Sequence, residues 1–97
     1  MNRNSNVVDM SGAAIVCSHI AVDEDPILRA TRDVPVQLED SGWQFLCGRS
    51  RHDDEDDAQV WLISHVLRDE PSLRSIIDEP PGRTWIREGP SAKWLRE

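Results

Sequence analysis

Apolar and polar positions along this chain follow two periods, and the change from one to the other divides it. Ala13 to Val22, "AAIVCSHIAV", is rich in β-branched residues and follows a Ser-Gly pair, so it predicts a first strand. "DEDP", Asp23 to Pro26, reads as a turn. Ile27 to Val34 predicts a second strand, with Pro35 marking an edge or a strand end. "LEDSG", Leu38 to Gly42, is a turn signal, and Gly42 to Cys47 predicts a third strand. On a period of two, Trp43, Phe45 and Cys47 share one face, with Gln44 and Leu46 opposite. Gly48 closes the run.

The period then changes. Arg49 to Asp57, "RSRHDDEDD", is charged almost throughout and predicts a loop. A helix is expected from Asp56 or Asp57, either of which can cap it and meet the positive end of its dipole. Its apolar stripe is Val60, Ile63, Val66 and Leu67, with Leu62 beside it. Asp69 can cap a second short helix with Pro71 in its first turn and Leu73, Ile76 and Ile77 on its apolar side. Arg83 to Glu88 predicts a fourth strand, with Thr84 and Ile86 on one face and Trp85 on the other. Trp94 and Leu95 imply that the tail packs down at least once.

This order implies an α+β domain: a mostly antiparallel sheet of about four strands, packed on one face by one or two helices. Trp43 is expected to be buried against the helix bearing Val60 and Ile63. Residues 1–12 are assigned to a flexible N-terminal tail and 13–97 to a single domain, since 97 residues suffice for one domain and not two.

Charge narrows the partners. Eleven basic against eighteen acidic residues give -7. Arg83 to Glu97 holds four basic and two acidic residues, so the rest carries -9. An acidic body repels phosphate backbones, which argues against nucleic acid, and attracts a basic protein surface. Met1 to Ser11 is polar and "GAAIVC" is too short for a signal core or a membrane span, so a cytoplasmic address with reduced thiols and no membrane partner is expected.

Catalytic patterns fail one by one. Asp53, Glu55 and Asp57 fit the first, third and fifth places of a calcium loop, but Ala58 and Ser64 stand where glycine and glutamate are required. Five neighbouring carboxylates share one environment, whereas acid–base pairs need two unlike ones. His19, His52 and His65 form no metalloprotease spacing, and His65 reads as a half-buried helix residue. Cys17 and Cys47 match no zinc spacing and read as small core residues; nothing in the sequence activates Cys47 as a nucleophile. The glycines are too scattered for a phosphate loop. No catalytic residue, metal or cofactor is therefore expected. Asp53, Asp54, Glu55, Asp56 and Asp57 exceed what one helix cap needs, and they are the candidate partner-binding residues.

Taken together, "IVCSHIAV", "DSGWQFLCG" (Asp40 to Gly48), the acidic "DDEDD", "RDEP" and "PPGRTWIRE" (Pro80 to Glu88) resemble the immunity protein 33 family of bacteria. "DSGW" is the most specific block, and "RDEPSL" departs from the pattern by an added glutamate before proline. The resemblance implies a protein that binds and silences a toxin and has no catalytic residues. It marks Asp40, Ser41, Gly42, Trp43, Phe45, Gly48, Pro80, Gly82 and Arg87 as signature positions with structural roles. The alternative is a small non-catalytic regulatory or scaffold domain that binds a cellular protein.

Overall fold

A computed structural model of the protein describes residues 7–35, 40–48 and 58–97. The elements in chain order are β1 (Ala13–Val16), α1 (Ser18–Ala21), β2 (Arg29–Arg32), β3 (Asp40–Leu46), β4 (Gln59–Leu62), α2 (Ile63–Asp69), a 3₁₀ turn (Pro71–Ser75), β5 (Arg83–Ile86) and β6 (Leu95–Arg96). The strands form one sheet in the order β4-β1-β3-β2-β5-β6. The α+β expectation holds, but the sheet has six strands where about four were expected. It is mixed rather than mostly antiparallel, because β1 and β3, its second and third strands, run parallel.

Three local corrections explain the difference. The first strand stops at Val16, six residues early. The Cys17 amide donates to the Phe45 carbonyl, and Ile20 and Ala21 then turn their amides back to the Cys17 carbonyl, closing α1. Ile20 is buried by that turn, and its burial overrides its β propensity.

The second correction concerns the start of the main helix. Gln59–Leu62 pairs antiparallel with β1 as strand β4, and α2 begins only at Ile63. "QVWLI" satisfies a period of two as well as a helical stripe, and pairing with β1 decides between them. Val60 therefore belongs to a strand and faces solvent, while Ile63 is fully buried. The N-cap of α2 is Leu62, not an aspartate, and the amides of Ile63 and Ser64 donate to the carbonyls of Gly12 and Met10. Asp56 and Asp57 lie outside the described residues. Within the stretch assigned to the tail, Val8 is buried and its amide donates to Asp78 Oδ1 at 2.8 Å.

The third correction is smaller. Glu70, not Asp69, is the N-cap of the 3₁₀ turn, with Pro71 following it as expected. The tail adds a short strand, since Leu95 and Arg96 pair with Ile86 and Trp85.

The core lies on one face of the sheet. Ala14, Val16, Ala30, Trp43 and Phe45 pack there with Ile20, Ile63, Val66, Leu67, Leu73, Ile76 and Ile77. Trp43 and Phe45 stack at 5.5 Å between ring centroids and 9° between planes, with Cys47 on the same face, as the alternation predicts. Among the described residues no helix is long and apolar enough to cross a membrane.

Candidate functional site

The signature residues of the "DSGW" block build a bulge at the parallel pair. Ala13 pairs with Asp40 but Ile15 pairs with Gln44, so β3 uses two more residues than β1 over this step. Asp40 Oδ1 accepts the Gly42 amide at 2.9 Å. The Ser41 hydroxyl donates to the Ala13 carbonyl at 2.6 Å and accepts the Trp43 amide at 3.2 Å. Gly42 has φ +85°, and a Cβ there would collide with the Asp33 carbonyl oxygen, so only glycine fits. Trp43 is fully buried, and its Nε1 donates to the Ile77 carbonyl at 3.0 Å.

Arg32 covers the same tryptophan from the next strand. Its Nε donates to the Ser41 carbonyl at 3.0 Å and its guanidinium lies 5.8 Å from the Trp43 ring. Burial lowers its pKa, opposed by the charge of Asp78.

Arg87 is the second node. It is buried, with Nε donating to the Ile27 carbonyl and Nη2 to Glu70 Oε1, both at 2.9 Å, and Nη1 to the Pro90 carbonyl at 3.0 Å. Its guanidinium stacks 4.6 Å from the Trp94 ring. One side chain thus ties the entry to β2, the 3₁₀ turn and the tail. Burial pushes the Glu70 carboxyl up, but hydrogen bonds from Ser72 and Arg87, and the charge of Arg87, outweigh it and hold it below its usual range. Gly82, at φ +96°, makes the turn into β5, and its amide donates to the Arg32 carbonyl. Pro80 is half-buried just before it, and Gly48, at φ +82°, turns the chain away from β3.

The opposite face of the sheet has a different character. Ile15, Val60 and Leu62 stand on it side by side, 38%, 66% and 52% exposed. The partly buried Leu46 and Gln44 continue this face onto β3. Strand β4 is the sheet edge here, and it follows directly in the chain on the acidic run. Asp53, Asp54, Glu55, Asp56 and Asp57 themselves lie outside the described residues. A contiguous cluster of exposed apolar side chains is the usual mark of a protein-binding surface. The sequence reading missed it because it assigned Val60 and Leu62 to a helix; "QVWLI" suits either period, and only the pairing with β1 decides for a strand.

A third group comes together that the sequence kept apart. The parallel strands β1 and β3 finish at the same end of the sheet, which brings Cys17 beside Cys47. The turn of α1 adds His19, whose Nδ1 lies 3.5 Å from Cys47 Sγ. The three ligand atoms all lie within 4.8 Å of one another. Both cysteines are buried and unbridged by a disulfide. His65 is half-buried on α2, as expected, stacked on Trp61 at 4.2 Å and 3.4 Å from Asp69.

The family model for the Immunity protein Imm33 domain matches residues 14–96. No curated protein and no solved structure matches the chain.

Proposed function

Because the chain belongs to the Imm33 immunity protein domain family, we propose that it neutralises a cognate protein toxin of a polymorphic toxin system by binding it. The family match over nearly the whole chain carries this reading. The signature residues Trp43, Phe45 and Arg87 are buried, the first two in core packing and Arg87 in an ion pair with Glu70, so they hold the fold and leave binding to exposed side chains. The protein acts in the cytoplasm, without turnover and without nucleic acid or lipid as partner.

The surface we assign to the toxin is the apolar group Ile15, Val60 and Leu62 together with Asp53 to Asp57. The apolar side chains supply contact area, and the carboxylates face a basic patch on the toxin. Charges at such a rim chiefly set the association rate and its salt dependence. Changing Asp53, Asp54 and Glu55 to asparagine and glutamine leaves the fold intact and slows association roughly tenfold at low salt. Added salt narrows the gap, because screening weakens the wild-type attraction. The check is the association rate with the cognate toxin, at two ionic strengths. Equal rates for both proteins at both strengths would remove the acidic run from the interface.

A further inference from the structure

We propose that Cys17, His19 and Cys47 form a zinc site. The geometry is the starting point. Zinc bonds of about 2.3 Å to sulfur and 2.0–2.1 Å to nitrogen, at tetrahedral angles, put a sulfur about 3.6 Å from a nitrogen and about 3.8 Å from another sulfur. Cys47 Sγ and His19 Nδ1 are already 3.5 Å apart, and no pair among the three ligand atoms exceeds 4.8 Å. Closing around an ion requires side-chain movements of about 1 Å and no movement of the sheet.

The backbone holds this arrangement from three sides. Cys17 is fixed by the hydrogen bond that its backbone N–H donates to the Phe45 carbonyl, at 3.1 Å, just where the parallel strands end. His19 is carried on the turn whose amides return to the Cys17 carbonyl, and its own carbonyl accepts the amides of Asp23 and Asp25. Cys47 follows β3 directly, and Gly48, left-handed at φ +82°, turns the chain away behind it. The cluster sits at the C-terminal ends of β1 and β3, which pair parallel and so deliver Cys17 and Cys47 to the same end of the sheet.

The donor set selects the metal. Two thiolates and an imidazole favour zinc over magnesium or calcium, which prefer oxygen. Each cysteine is 4% exposed, so a bare thiolate there would be poorly solvated, and a divalent cation compensates that charge. Each thiol releases its proton on binding and the metal takes its place. Three protein ligands leave the fourth position for water or for a group from a partner. Cys47 also lines a surface hollow with Asp25, Pro26, Leu28 and Gly48, which gives that position a route to solvent. The site differs from the toxin-binding surface in its residues, so either can fail without the other.

The experiment uses the full chain, reduced and freed of metal, titrated with cobalt(II) as a spectroscopic stand-in for zinc. Wild type develops a thiolate-to-cobalt charge-transfer band with one equivalent, and zinc displaces it. Saturating zinc raises the thermal midpoint by roughly 10 °C or more at a hundredfold excess over Kd. Cys47→Ser loses the charge-transfer intensity of one thiolate. His19→Gln weakens cobalt binding at least tenfold, since even outer-shell partners of a metal cost about that much. If Cys47→Ser proves unfolded by circular dichroism, His19→Gln decides alone, because His19 is half-buried on a single helical turn. No charge-transfer band in wild type, or one unchanged in affinity in His19→Gln, overturns the site.

Discussion

Trp43→Ala is expected to destabilise the fold by about 3–5 kcal/mol, enough to leave a domain of ordinary stability largely unfolded at physiological temperature. Trp43 is completely buried and stacked on Phe45, and its ring fills the space between β3 and the chain around Ile77. Truncation removes that packing and opens a cavity that the two-layer core is too thin to close. It also takes the indole donor from the Ile77 carbonyl. Trp43→Phe separates the contributions. It keeps most of the apolar area and loses the hydrogen bond, so it should cost less, about 1–3 kcal/mol. Denaturant unfolding of both variants is the check. A Trp43→Ala protein as stable as wild type would mean that the bulge at Ser41 and Gly42, not the tryptophan, holds the helical layer.

Arg87→Met is expected to cost a similar amount, about 3–5 kcal/mol, for a different reason. Methionine keeps the apolar stem of the side chain. It leaves the Ile27 and Pro90 carbonyls without their donor and Glu70 without its counter-charge. Replacing the partner as well should restore part of the loss: Arg87→Met with Glu70→Gln should be more stable than Arg87→Met alone, because the uncompensated carboxylate is gone. The sign of the pH dependence follows from the lowered pKa of Glu70. Its contribution is complete above the unfolded carboxyl range and disappears as pH falls through the lower folded value. Thermal melts of the single and double variants across acid pH would show this. Additive losses in the double variant would contradict the coupling.

How much of this was legible in the sequence depended on how far apart the interacting residues stand. The alternation of Trp43, Phe45 and Cys47 is local, and it gave the buried face of β3 correctly. Gly42 and Gly82 were legible as signature positions, and the left-handed backbone at each supplies the physical reason. Val60 to Leu62 was not legible as a strand, because "QVWLI" suits either period and the deciding partner, β1, lies more than forty residues earlier. The parallel pairing left no trace in the order of elements, since β2 intervenes between β1 and β3 in the chain but not in the sheet. For the same reason Cys17 and Cys47 read as separate core residues. Their meeting depends on register, which spacing along a chain does not encode. The exposed face of Ile15, Val60 and Leu62 was hidden behind the same misassignment.

The central claim is that this chain silences a protein toxin by binding it. The most direct test is to titrate the purified chain against its cognate protein toxin while following the toxin's own activity. The account predicts activity falling linearly to zero at a fixed stoichiometric ratio, with the chain recovered unchanged from the complex. Full toxin activity at a large excess of folded chain, with no complex on size-exclusion chromatography, would contradict it.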